Sequence, residues 1–140
     1  FKAVNDSLGH AAGDHVLQTA ARIMVEATRD IDTVARVGGD EFTLLLPGVG
    51  GSAHLAQVAE RIITRLEQPI KFDGAACQIS ASIGSIWVKA EQDAVAEDVL
   101  SDADAALYRS KQAGRARHTV HGETVPDAMQ KRREKPHALQ

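Results

Sequence analysis

Val37-Gly38-Gly39-Asp40-Glu41-Phe42 is the stretch from which the fold of this chain is read. Thr33–Val37 on one side and Phe42–Leu46 on the other are rich in β-forming residues, so the two runs predict a β-hairpin closed by the glycines. Two glycines at a strand-to-strand turn are accounted for by the positive φ they permit. That freedom does not explain why two acids follow at once, ahead of an apolar Phe42. Paired carboxylates on a tight turn, beside an open backbone, suit Mg²⁺ held against a polyphosphate, because Mg²⁺ takes hard oxygen ligands and shares them with substrate phosphates. Taken alone, these residues fit both a plain turn and a metal-binding tip.

Upstream of the hairpin, residues 14–28 carry Val16, Leu17, Ala20, Ile23, Met24 and Ala27 at helical spacing, the mark of an amphipathic helix. Residues 1–10 are too short to be an element of their own and end in the breaker pair Gly9-His10. Downstream, Pro47, Gly48, Gly50 and Gly51 close the hairpin unit. Ser52 is a candidate N-cap for a second helix striped by Leu55, Val58, Ala59, Ile62, Ile63 and Leu66, and Pro69 stops it. From Ala76 to Val88, the residues Cys77, Ile79, Ala81, Ile83 and Trp87 alternate with small or polar ones, predicting one half-buried strand. A third helix is expected from Ala96 to Ala113, with Val99, Leu100, Ala103, Ala106 and Leu107 facing inward and Gly114 just past its end. A short last strand is expected at His118–His121. The polar tail from Gly122, with Pro126, Pro136 and the basic run Lys131-Arg132-Arg133, reads as a solvated linker. This gives a domain over 1–121 and a tail over 122–140. Helices alternating with strands predict an α+β fold, in which helices flank a central, largely antiparallel sheet.

The 140 residues suffice for one domain with its own core. Aromatic residues make up only 4%, so that core must come from Leu, Ile, Val and Ala. A net charge of −3 argues against a nucleic-acid duplex or an anionic membrane as the main partner. One cysteine, Cys77, forms no internal disulfide, which fits a reducing compartment. No apolar run is long enough to span a bilayer. The chain starts with Phe1 rather than Met, and its organisation points to a piece of a larger protein.

Gly38-Gly39-Asp40-Glu41-Phe42 is also the signature that names the GGDEF family of diguanylate cyclases, and the chain resembles that family well beyond it. Phe1-Lys2-Ala3-Val4-Asn5-Asp6, Gly9-His10 and Gly13-Asp14 look like the segment after the family's first strand. Ser82-Ile83-Gly84 resembles an inner strand. Ala103-Asp104, Ala106-Leu107-Tyr108, Lys111 and Gly114-Arg115 resemble the last helix. The blocks stand in the family's order from Phe1 to about Arg115. The implied fold is the palm of the GGDEF and nucleotidyl cyclases, here lacking its first strand and the helix before it.

The resemblance implies a reaction that condenses two GTP into cyclic di-GMP and pyrophosphate, with Mg²⁺ (or Mn²⁺) as cofactor. Asp40 would be a metal ligand. Glu41 would share in metal binding or in deprotonating the attacking 3′-hydroxyl. Asn5 and Asp14 would bond the guanine, whose N–H edge matches an acceptor-only carboxylate and so separates GTP from ATP. Asp14 also reads as an acid in a helix's first turn, favoured by the dipole. Lys111 and Arg115 would grip phosphates, although their places at a helix end suit plain capping as well. Phe1 and Lys2 would offer backbone amides to the phosphates.

Arg29-Asp30-Ile31-Asp32 contains Arg-x-x-Asp at the offset of the family's inhibitory site, so Arg29 and Asp32 are expected to bind cyclic di-GMP. Each domain holds one GTP, so the resemblance implies a homodimer. Sensory or phosphodiesterase domains are expected elsewhere in the parent chain, and the need for GTP implies a cytoplasmic domain whether or not the parent is membrane-anchored. An aspartate of the family's first strand is not in this sequence, so the isolated stretch is expected to be inactive, slower by roughly three powers of ten or more. Its sheet edge is expected to be left unpaired and prone to aggregation. A non-catalytic GTP-binding regulatory module and a cyclic di-GMP receptor are the alternatives. The intact signature with Asn5, Asp14, Lys111 and Arg115 favours the enzyme over both.

Overall fold

In the computed structural model the described residues are 1–89 and 92–122, and they form an α+β fold. The helices are α1 (Lys2–Leu8), α2 (His10–Glu26), α3 (Ser52–Leu66) and α4 (Ala96–Gln112). The strands are β1 (Thr33–Gly38), β2 (Glu41–Leu45), β3 (Ile70–Phe72), β4 (Ala75–Cys77), β5 (Ile83–Ser85) and β6 (His118–Val120). The linker expected beyond Gly122 lies outside the described residues.

Lys2–Leu8 form a helix of their own, contrary to the expectation that the first ten residues are too short to be an element. Seven residues make a marginal helix in isolation. Here α1 is fixed by burying Val4 in a cluster with Ala12, Val16, Ile70 and Cys77. Gly9, at φ 89°, makes the sharp junction that lets α2 start at His10, four residues before the predicted start. α3 runs as predicted, but Ser52 is its first helical residue; Gly51 occupies the N-cap and no side chain caps the end.

The single strand expected over Ala76–Val88 is instead two short ones, β4 and β5, because β4 pairs backwards with β3. Asp73 at φ 47° and Gly74 at φ 78° form the turn between β3 and β4, both residues at the positive φ of a type I′ hairpin. Among the described residues the strands pair as three two-stranded ladders rather than one continuous sheet: β1–β2 and β3–β4 antiparallel, β5–β6 parallel.

The main core joins α2 (Ala20, Ile23, Met24) and Ala27 to α3 (Val58, Ile62, Leu66), with Phe42 and Leu44 of the hairpin and Ile83 of β5 packed against it. α4 lies on the β5–β6 ladder at close range. Its Ser110 is fully buried, donates to the Ile83 carbonyl at 2.8 Å, and sits 2.8 Å from Thr119 Oγ1, so one hydroxyl ties the helix to both strands. A Cβ on Gly84 would overlap the Leu107 backbone nitrogen and crowd the Ala103 carbonyl. Leu100, expected inside, is 50% exposed, whereas Ala106 is fully buried.

Candidate functional site

The hairpin tip is built by two local devices. Arg36 faces Phe42 in the ladder but Gly38 faces Glu41, so Val37 is an extra residue on β1, a bulge immediately before the acids. Gly39 then turns the chain at φ 51° while Asp40 keeps negative φ, the sign pattern of a type II′ turn. Arg36 Nε donates to the Gly39 carbonyl at 2.8 Å, clasping the turn from the strand that leads into it. Asp40 and Glu41 are both exposed on this held tip. Arg36 was not singled out in the sequence; its signal was an arginine two residues before the glycine pair.

Across from the tip, α4 ends in a full Schellman motif. Gly114 donates to the Lys111 carbonyl and Arg115 to the Ser110 carbonyl, at 3.4 Å and 3.0 Å, with Gly114 at φ 113°. The motif places Lys111 and Arg115 together at one pole of the helix. Asp40, Glu41, Lys111, Arg115 and Phe1 all line one cleft of about 1690 Å³ between the hairpin and the β5–α4 unit. The cleft is larger than the several hundred Å³ typical of small-ligand pockets, about 300–1,000 Å³. Its lining carries carboxylates and cations together, a donor set that suits a metal-bound polyphosphate.

Lys2, Asn5 and Asp14 lie outside that lining: Lys2 opens α1, Asn5 stands midway along it and Asp14 is on α2. Asn5 packs its Oδ1 directly over Gly13, where a Cβ would overlap it. The contact seats the Asn5 amide against α2 at the residue preceding Asp14; Asn5 and Asp14 are the two residues that the resemblance assigns to guanine. Because α2 starts at His10, Asp14 is past the first turn, and the helix dipole no longer accounts for it. Phe1 is the N-cap of α1; its carbonyl accepts from the Val4 and Asn5 amides at 3.0 Å and 3.1 Å, and the Lys2 and Ala3 amides precede the first of these helical bonds.

Arg29 and Asp32 form a separate site where α2 leads into β1. The carboxylate accepts from Arg29 Nε at 3.1 Å, Nη2 at 2.7 Å and the Arg29 backbone amide at 2.7 Å. Those hydrogen bonds hold the Asp32 carboxyl below the usual carboxylate value, against the opposing effect of burial. Nη2 also donates to the Pro47 carbonyl at 2.7 Å, tying this turn to the end of the hairpin.

Among the described residues no three His, Cys, Asp or Glu side chains converge as a metal cage. Asp40 and Glu41 still fit Mg²⁺, which is commonly held by one or two carboxylates together with substrate phosphates. Among the described residues no helix is long and apolar enough to cross a membrane.

The family model for the GGDEF domain of diguanylate cyclases matches residues 1–117. Diguanylate cyclase A of Treponema denticola is 43% identical over 129 residues, 91% of this chain and 34% of that protein. Diguanylate cyclase TpbB of Pseudomonas aeruginosa is 37% identical over 135 residues, 96% of this chain and 31% of that protein. The chain therefore spans about a third of the length of these relatives. The crystal structure of the TpbB GGDEF domain superposes with a TM-score of 0.78 at 35% identity, covering 88% of this chain and 76% of that one. The GGDEF domain of DgcB from Caulobacter crescentus, solved in complex with c-di-GMP, gives a TM-score of 0.78 at 30% identity, covering 87% of this chain and 72% of that one. With the signature on a held hairpin tip and the match running through the whole folded region, this chain belongs to the diguanylate cyclase GGDEF-domain family.

Proposed function

We propose that the protein is a diguanylate cyclase that joins two GTP into cyclic di-GMP and is inhibited by its product at Arg29 and Asp32. The observation that carries this reading is the pairing of an acidic tip, Asp40 and Glu41, with the cationic end of α4, Lys111 and Arg115, along one cleft.

In this reading Asn5 and Asp14 bind the guanine edge, with Asp14 accepting from the N–H groups that adenine does not present in that arrangement. Lys111 and Arg115 hold the outer phosphates, and the backbone N–H groups of Phe1 and Lys2 add donors. The 3′-hydroxyl oxygen of one GTP attacks the α-phosphorus of the other in line. The bond to the bridging oxygen breaks, pyrophosphate leaves, and the reciprocal attack closes the ring. Glu41 accepts the hydroxyl proton or supports the metal beside Asp40. When bound by Asp40 and Glu41, Mg²⁺ (or Mn²⁺) neutralises charge on the transferring phosphoryl group. Each domain presents one such site, so two copies must face each other, and the working form is a homodimer in a cytoplasmic setting that supplies GTP.

The deciding experiment is conversion of labelled GTP by the longer protein that contains this domain. Asp40→Ala should reduce cyclic di-GMP formation by at least about a hundredfold, and Arg29→Ala should raise the product concentration needed for half-inhibition. Full activity in Asp40→Ala would overturn the catalytic reading; unchanged inhibition in Arg29→Ala would overturn the inhibitory one.

A further inference from the structure

A second pocket, about 410 Å³ in volume, opens between α2, α3 and β3 and shares only Gln68 with the larger cleft. Its wall carries His15 and Arg22 from α2, Arg65 from α3 and Lys71 from β3, with the buried Ile23 and Ile70 beside them. Glu26 answers these cations, 2.6 Å from Arg65 and 3.9 Å from Arg22. Three permanent cations against one carboxylate leave two positive charges, on a chain whose net charge is −3. Among the described residues the Lys71 ammonium has no hydrogen-bond or ion-pair partner. Arg65 engages Glu26 through Nη2, which leaves other N–H groups of its fork for a ligand. The His15 ring is steadied against Phe72, centroid to centroid 5.5 Å.

We infer that this pocket binds a small ligand through a phosphoryl dianion, the chemistry shared by inorganic phosphate, soluble phosphate monoesters and phosphomonoester lipid headgroups. Two excess positive charges match a dianion. An arginine fork supplies paired donors to its oxygens, and a lysine adds a mobile point charge. The pocket's size suits a phosphorylated small molecule. This site stands apart from the guanine nucleotide chemistry and does not depend on it.

The test is a titration of the ¹⁵N-labelled 140-residue chain with inorganic phosphate, with glucose 6-phosphate, and with vesicles containing phosphatidic acid. Saturable amide shifts centred on His15, Arg22, Arg65 and Lys71 are expected with at least one of the three. Arg22→Gln and Lys71→Gln, both at exposed positions, should each weaken binding by about tenfold while leaving the spectrum of the free chain otherwise unchanged. Saturation by either soluble phosphate supports the site with a soluble ligand, and saturation by vesicles alone supports it with a lipid headgroup. Absent or scattered shifts, or equal affinity in both variants, would overturn the inference.

Discussion

Arg29 and Asp32 lock together through a two-pronged contact, Nε to Oδ2 at 3.1 Å and Nη2 to Oδ1 at 2.7 Å, in which the carboxylate side chain is 1% exposed and the arginine 42%. The same Nη2 reaches the Pro47 carbonyl, so a pair read from the sequence as a binding motif is also a brace between α2 and the hairpin. In the inhibitory role proposed above, an arginine already oriented by its own carboxylate would present its remaining donors without first losing rotamer freedom.

This brace carries a pH signature. The Asp32 carboxyl is held below its ordinary value of 3.8, first by the Arg29 side-chain hydrogen bond. A carboxyl that is a stronger acid in the folded chain stabilises it above the unfolded value, and that contribution is lost as pH falls through the folded value. Urea midpoints should therefore place the unmodified chain above Asp32→Asn near neutral pH, with the gap closing below about pH 4. A gap that stays constant to low pH would mean that the Asp32 charge is not what braces the turn.

Gly13 makes room for the Asn5 amide by having no side chain. A Cβ there would overlap Asn5 Oδ1 and lie 2.8 Å from its Cγ, so Gly13→Ala must turn the Asn5 amide aside. The helix interior itself tolerates alanine better than glycine. The variant should thus stay folded while its GTP affinity falls by roughly tenfold, the worth of one hydrogen bond. Calorimetric titration of GTP into the longer protein, beside a thermal melt, separates the two effects. Unchanged affinity would remove Asn5 from the nucleotide site.

Gly84 has a different task, letting β5 approach α4. A methyl group there meets backbone at Leu107 and Ala103 rather than a side chain that can swing away. Gly84→Ala should cost about 2–3 kcal/mol, the upper range for overpacking. For a chain of this size that lowers the melting temperature by roughly 10 °C. A shift under a few degrees would show that the ladder slides to accommodate the methyl.

What could be read from the sequence divides along a physical line. The β1–β2 hairpin, α3 and the Gly114 stop of α4 were legible because each rests on local chemistry: turn glycines, an apolar stripe, a helix-ending glycine. The same kind of signal was present at Asp73-Gly74 and passed unread, because the strands it joins are three residues each and β4 had been absorbed into a longer run. α1 was not legible in this way, since Val4 becomes buried only against α2, β3 and β4. At the site, the acids and the α4 cations were found from the motif, but their meeting along one cleft, the Arg36 clasp and the Asn5–Gly13 contact depend on chain segments that meet only in three dimensions.

Beyond the Schellman end of α4, Arg115 and Ala116 stand at φ 65° and 49°. The left-handed region costs an ordinary L-residue about 1 kcal/mol, and Asn tolerates it best after Gly because its short amide can bond locally. An alanine at 116 therefore carries strain that asparagine would relieve. The Ala116 amide donates to Ser82 Oγ at 3.2 Å, a bond that the exchange leaves in place. Ala116→Asn should stabilise the chain by about 0.5–1 kcal/mol without touching the core, read as a higher urea midpoint at unchanged slope. Equal or lower stability would mean that Ala116 relaxes out of the left-handed region, and with it the turn that sets Arg115 beside Lys111.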